Sequence, residues 1–278
     1  MENGGSHNGW CHELEFVAFD VETTGLHPLT GRVLEIGAAR FRGGTVVAEF
    51  EELFDPGLPI PPEASRVHGI TEEDVVGCPS ISDGLPRFLE FLGSPDSFLV
   101  GHYVTFDRDF VAVEARRANI PLTNHSILDS WALARTRMPL MGRYNLQSVA
   151  SALRVQGAGC HRALADARVT GEVFWRLVAG EPPLDRDDLM RLGNASAWSC
   201  ESDLTPPSTH EWEELDRAIQ ESVALTLIYD GGHYGLTPRR ITPRGVRKLR
   251  GNDYLVAYCH IDDIEKTFRM DRVLSLTA

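Results

Sequence analysis

The sequence predicts an α/β domain followed by a short all-β one. Apolar, β-branched runs of strand length alternate with segments of helical period from Phe16 to Val178. Glu181-Pro182-Pro183 stops that pattern, and Pro206-Pro207 adds a second break. From Glu211 onward one short amphipathic segment gives way to strand-like runs separated by turns. The expected organisation is a lead-in over 1–12, a first domain over 13–180, a linker over 181–210 and a second domain over 211–278.

In the first domain, Phe16–Val21, Val33–Phe41 and Thr45–Leu53 read as strands, with Arg42-Gly43-Gly44 as the turn between the last two. Pro56 to Pro62 is a proline-punctuated loop. Leu85, Phe88 and Phe91 give Ile81–Phe91 a helical spacing. Phe98–Gly101 is a short buried strand, and helices are expected over Asp107–Ala118, Leu128–Thr136, Leu146–Leu153 and Ala163–Val178. A short helix over Asp187–Leu192 is expected within the linker. In the second domain, Trp212, Leu215 and Ile219 share one face of a helix over Glu211–Ser222. Strands follow at Val223–Tyr229, Asp253–His260 and Thr267–Leu276, which fits a small barrel.

Composition narrows the class. No apolar run approaches the roughly 18 residues of a membrane span, and MENGGSHNGW has neither the basic region nor the apolar core of a signal peptide. Five scattered cysteines without C-x-x-C spacing argue against a disulfide framework or a zinc site. A cytoplasmic location is expected. The net charge of −13 is unusual for a nucleic-acid enzyme, but bound cations offset an acidic metal site locally. Lys248 and Lys266 are the only lysines, and the bias toward Arg reads mainly as a genomic composition effect.

The strand FVAFDVETTGL carries the main chemical signal. Side chains alternate along a strand, so Asp20 and Glu22 point to the same side. Two adjacent carboxylates repel each other, and a hard divalent cation such as Mg²⁺ or Mn²⁺ relieves that repulsion. Alone, D-x-E would read as two acids facing water at a strand end. It is joined by LVGHYVTFDRDF, which leads to Asp107, and by CHRALADARVTGEVF, which holds His161 and Asp166. Positions five apart on a helix lie about 140° apart, so His161 and Asp166 cannot share a helix face. His161 is therefore expected on the flexible loop ahead of the helix.

These three segments together resemble the DEDDh family of 3′–5′ exonucleases, which has an RNase H-like fold with a mixed five-stranded sheet flanked by helices. The resemblance runs from Phe16 to Val178 and includes VLEIGAARF, VHGIT and YNLQSVA. It implies hydrolysis of phosphodiester bonds from 3′ ends of single-stranded DNA with release of 5′-mononucleotides. It further implies two Mg²⁺ or Mn²⁺ ions, about 3.5–4 Å apart, held by Asp20, Glu22, Asp107 and Asp166, with His161 as general base. Thr23 would meet the terminal hydroxyl, while Leu26, Val67, His68 and Phe106 would pack the last base or sugar. Core packing is the competing reading for Leu26, Val67 and Phe106. One departure stands out: the family usually has Asn after the motif histidine, where this chain has Tyr103.

The second domain resembles a WYL domain, a small SH3/Sm-like barrel, through Tyr229, Arg240, Pro243, Tyr254-Leu255 and Phe268-Arg269-Met270-Asp271-Arg272. The name-giving Trp position is Asp253 here. Arg239, Arg240, Arg244, Arg247, Lys248 and Arg250 form a strip without an acid, and Arg269 and Arg272 follow. Such a strip is a phosphate-binding footprint, which Tyr254 could supplement by stacking. A solvated basic face is the competing reading. The expected nucleic-acid contacts are Arg239, Arg240, Arg244, Arg247, Tyr254, Arg269 and Arg272. RNA trimming is the alternative activity, and a nucleic-acid-binding regulator with the first domain as scaffold is the contrasting class.

Overall fold

The computed structural model describes residues 13–25, 28, 31–157, 161–180, 184–198, 213–229, 238–249, 252–270 and 273–277. They form two compact units, the first taking in the chain through Thr24 and Arg32–Trp198, the second the C-terminal elements. No helix among the described residues is long and apolar enough to cross a membrane.

The first unit is built on β1 (Glu15–Thr23), β2 (Val33–Arg42), β3 (Thr45–Leu53), β4 (Phe98–Gly101) and β5 (Ile127–Asp129), in the order β3-β2-β1-β4-β5. β1 to β3 pair antiparallel, whereas β4 runs parallel to β1 and β5 parallel to β4. Gly43 and Gly44 both adopt positive φ and close the β2–β3 hairpin, as the type of turn requires. The sheet is apolar on both faces. Phe16, Ala18, Ala39, Phe41, Val100 and Leu128 belong to one core, while Val17, Phe19, Val21, Ile36, Ala38 and Leu99 belong to the other.

Helices cover both faces. In chain order they are α1 (Pro62–His68), α2 (Glu72–Val75), α3 (Ile81–Leu92), α4 (Thr105–Ala118), α5 (Ser130–Arg137), α6 (Leu146–Ala152), α7 (Ala163–Val178) and α8 (Arg186–Leu192). α7 lies on the Phe16 face through Val169, Val173, Phe174 and Leu177. Leu85, Phe88 and Leu92 of α3 and Phe110, Val111 and Ala115 of α4 fill the opposite face.

Several boundaries differ from the sequence reading, each for a physical reason. α1 follows the proline loop directly because Pro62 occupies the first helical turn, where no backbone N–H is needed. Leu128 and Asp129, expected in a helix, belong to β5: Leu128 pairs with Val100, and the Asp129 carboxylate accepts from Trp131 N to start α5. The linker expected from 181 is also shorter. Leu184 and Leu189 are buried in the first core, Trp198 packs against Phe19, and Ser196 bridges to Ile127.

The second unit consists of α9 (Glu213–Glu221) and β6 (Leu225–Tyr229), β7 (Arg239–Leu249), β8 (Asn252–Cys259), β9 (Ile264–Arg269) and β10 (Val273–Thr277). The strand order is β10-β6-β7-β8-β9, all antiparallel. Pairing between β9 and β10, which would close the expected barrel, is absent among the described residues. The run expected as one strand, Thr267–Leu276, is divided between β9 and β10, and the basic strip is itself the strand β7. Leu215 and Ala218 of α9 pack with Leu225, Leu227, Ile241, Leu255 and Phe268.

Candidate active site

Strand parity decides where the acids go. Phe16, Ala18, Asp20 and Glu22 occupy alternate positions of β1, on the face that α7 covers. Asp20 is paired in register with Gly37, and Glu22 with Glu35. A Cβ on Gly37 would lie 2.0 Å from Leu164 N and 2.1 Å from Ala163 C, so only glycine lets the first turn of α7 press this closely on β2. That approach brings Asp166, which continues the buried stripe Val169–Val173–Leu177, to the two strand acids. One oxygen each from Asp20, Glu22 and Asp166 lies within 4.8 Å of the others.

Asp107 enters from the opposite side. It stands in the first turn of α4, is buried, and its Oδ1 accepts from Val21 N at 3.0 Å, midway between Asp20 and Glu22 along β1. Glu35 is a fifth acid, which the sequence reading did not single out. Its carboxylate is fully buried, accepts from Arg162 Nε at 3.1 Å, and accepts from Ala163 N at 2.9 Å. It thereby caps α7 and fixes the segment that carries His161. An acid within residues 33–39, the otherwise apolar part of β2, was the available signal, because a buried carboxylate requires a partner.

The concentration of negative charge is visible in the proton affinities. Burial pushes Asp20 well above the usual carboxylate range, with the charges of Asp107, Glu22, Asp166 and Glu35 adding to it. Glu22 is pushed up to about 8 by burial, then by Glu35, Asp166 and Asp107, against a lowering by Arg162. Asp107 is pushed up to about 8, mainly by burial, although its hydrogen bond from Val21 opposes this. Three converging hard oxygen donors, those of Asp20 and Glu22 with ionised forms this costly, fit a divalent cation, which removes the repulsion. Distance and donor type are both compatible with Mg²⁺ or Mn²⁺.

His161 is exposed, has φ +45°, and precedes the start of α7 by two residues, as its offset from Asp166 requires. It is near enough for its charge to lower the proton affinity of His68, for which burial is the main cause. His68 is buried, and its Nδ1 accepts from Ile70 N at 3.0 Å. Thr23 is buried, and Phe106 is half-buried with its ring 4.8 Å from that of Phe110. Val67 is 57% exposed, which rules out core packing for it. Leu26 lies outside the described residues.

In the second unit the basic strip is divided by the two-residue period of β7. Arg239 is 3% exposed and packs beside the rings of Tyr229 and Phe268, 5.6 and 5.8 Å from their centroids. It is therefore a core residue and not the surface contact expected of it. Arg240 is exposed, and Arg244 and Arg247 are half-buried. Arg247, Tyr254 and Arg269 stand opposite one another on β7, β8 and β9. Arg272 lies outside the described residues.

Comparisons with known proteins agree with this architecture. The family model RNase_T, described as "Exonuclease", matches residues 17–174, and WYL, described as "WYL domain", matches residues 210–278. DNA polymerase III PolC-type of Thermotoga maritima is 39% identical over 163 residues, 59% of this chain and 12% of that protein. DNA polymerase III subunit epsilon of Aquifex aeolicus is 34% identical over 163 residues, 59% of this chain and 80% of that one. The chain thus spans about an eighth of the PolC-type relatives it matches. Among solved structures, Exonuclease X in complex with 5′ overhanging duplex DNA aligns with 25% identity and a TM-score of 0.52, over 65% of this chain and 99% of that one. Exonuclease I of E. coli in complex with single-stranded DNA aligns with 17% identity and a TM-score of 0.55, over 88% of this chain and 54% of that one, a likeness of fold alone.

Proposed function

The chain belongs to the RNase_T exonuclease family, and from that premise we propose that it is a metal-dependent 3′–5′ exonuclease acting on single-stranded DNA. The observation that carries this reading is the convergence of Asp20, Glu22 and Asp166 within 4.8 Å, with Asp107 held against the same strand.

Asp20, Glu22 and Asp166 hold the divalent cations, and Asp107 completes the set from α4. When bound, the cations supply charge relief at the phosphorus, water activation and stabilisation of the leaving oxygen. His161, exposed on its segment ahead of α7, takes the proton of the attacking water. The Glu35–Arg162 pair keeps that segment in place, and Arg162 offsets part of the negative charge. Thr23 binds the terminal 3′ hydroxyl. His68 and Phe106 border the last nucleotide, and the exposed side chain of Val67 is available to it. Exonuclease X was solved with DNA, which favours DNA as the polymer. The second unit presents Arg247, Tyr254 and Arg269 in one row, a surface suited to holding the strand by phosphate contact and stacking.

The test is a time course on end-labelled single- and double-stranded DNA and RNA, with Mn²⁺ or with chelator. Stepwise loss of 3′ nucleotides from single-stranded DNA, abolished by chelator and by Asp20→Ala, is the expected result. Faster trimming of the matched RNA would reassign the substrate. Binding without hydrolysis by the metal-loaded protein would leave a regulator on a nuclease scaffold.

A further inference from the structure

Beside the carboxylate centre stands an aromatic pair that the chemistry above does not use. Tyr103 has φ +61°, a strained region that bulky residues rarely occupy. Its backbone is nonetheless fixed, since Tyr103 N donates to Asp129 Oδ1 at 2.9 Å and Tyr103 O accepts from Phe106 N at 3.3 Å. The ring is not used for packing in the core: Tyr103 is 44% exposed.

The same Asp129 oxygen accepts from Trp131 N at 2.9 Å, so one buried carboxylate positions both aromatic residues. Their rings meet edge to face, with centroids 5.4 Å apart at 86°. One turn further along α5, the guanidinium of Arg135 lies over the Trp131 ring at 4.7 Å. Arg135 is exposed, and no carboxylate among the described residues pairs with it. This group adjoins the elements that carry the acids: Tyr103 precedes Asp107 by four residues at the head of α4, and Asp129 is paired in register with Gly101 at the end of β4, the strand beside β1.

We propose that Tyr103, Trp131 and Arg135 form a stacking platform for the substrate strand 5′ of its scissile end, with a nucleobase on Tyr103 and a backbone phosphate on Arg135. The inference rests on the nuclease reading. A strained backbone that presents an aromatic ring to water, next to a cation without an acidic partner among the described residues, matches a ligand that is flat and anionic. Single-stranded nucleic acid has both properties at every residue, and stacking accepts any base. The strain also separates function from stability. Asn tolerates positive φ far better than Tyr, so Tyr103→Asn removes the ring without harming the fold.

The experiment measures steady-state hydrolysis, with Mn²⁺, of an eight-nucleotide oligothymidylate and of the nitrophenyl ester of thymidylate, which has no strand beyond the scissile bond. Tyr103→Asn is expected to raise KM for the oligonucleotide about 5- to 150-fold, the range for loss of one stacked base, and Arg135→Gln is expected to raise it in a salt-dependent way through loss of a phosphate contact. They should leave kcat, and all parameters for the ester, unchanged. Tyr103→Phe should behave as the wild type, and Tyr103→Asn should melt no lower than it. An unchanged KM for the oligonucleotide in Tyr103→Asn, or an equal rise for the ester, would overturn the platform. If the wild type hydrolyses neither substrate, the nuclease reading fails, and photocross-linking of an iododeoxyuridine-substituted strand decides the platform by itself. Adducts at Tyr103 or Trp131 would support it, and adducts confined to other residues would reject it.

Discussion

Removal of divalent cations should make the first unit less stable as pH rises, opposite to the usual behaviour of carboxylates held by ion pairs. Glu22 takes up its proton at about 8 in the fold, against an ordinary value of 4.5. The folded state therefore binds more protons than the unfolded chain throughout that interval, and stability falls with a negative slope across it. Each pH unit corresponds to about 1.36 kcal/mol, so Glu22 alone has a ceiling near 5 kcal/mol. Glu22 is half-buried and shares its field with Asp20 and Asp107, so the contributions do not add, and about 2–3 kcal/mol is the effect expected after solvent screening. For a unit of this size, about 2–4 °C per kcal/mol converts this to a fall of about 4–12 °C in Tm between pH 5 and pH 8. The buried His68 and the half-buried His102, whose protons are lost more readily than usual because of desolvation, act in the other direction below about 6.5. The assay is therefore differential: scanning calorimetry of chelated wild type and Glu22→Gln across the same pH series, so that the histidine contributions cancel. Glu22→Gln should show the shallower decline, and Mn²⁺ should restore the wild type most strongly at pH 8. Parallel pH curves for the two proteins would refute the argument that these acids are forced together at a cost the cation relieves.

Three further perturbations test other parts of the structure. Glu35→Gln weakens the cap on α7 and the hold on Arg162, and kcat should fall about 10- to 100-fold with KM unchanged, as is usual for groups that orient a metal site; an unchanged kcat would remove Glu35 from any positioning role. Gly37→Ala places a methyl group against the α7 backbone, so a stability loss of about 1–3 kcal/mol by denaturant titration, together with weaker Mn²⁺ binding, is expected. Arg239→Ala should destabilise the second unit by roughly 1–2 kcal/mol through lost packing and cation–π contact, whereas Arg247→Ala with Arg269→Ala should leave its melting unchanged and reduce the salt slope of strand binding by about two.

The features legible in the sequence were those with a local period. Asp20 and Glu22 share a face because strand side chains alternate, and β1 shows that alternation in its burial from Phe19 to Thr23. The spacing in α7 likewise put Asp166 on the helix and His161 ahead of it. β5 was not legible: three residues are too few to display a period, and its identity comes from pairing with β4. β7 was hidden for another reason. Its cations, Pro243 and Gly245 obscure the alternation, and the register shifts between Pro243 and Gly245. The burial of Arg239 depends on rings contributed by β6 and β9, so no window around position 239 contains it.

Glu35 shows how far such reasoning extends. A carboxylate in a buried run such as residues 33–39 must have found a compensating charge, so its burial announces a partner without identifying it. The partner, Arg162, lies 127 residues away and adjoins the residue assigned as the general base. Because Glu35 is also paired in register with Glu22, one strand position links the charge balance of the acid cluster to the placement of His161. Local patterns can name the acids of such a centre. Their common orientation is fixed by a long-range ion pair and by Gly37, whose missing side chain lets α7 close on the sheet.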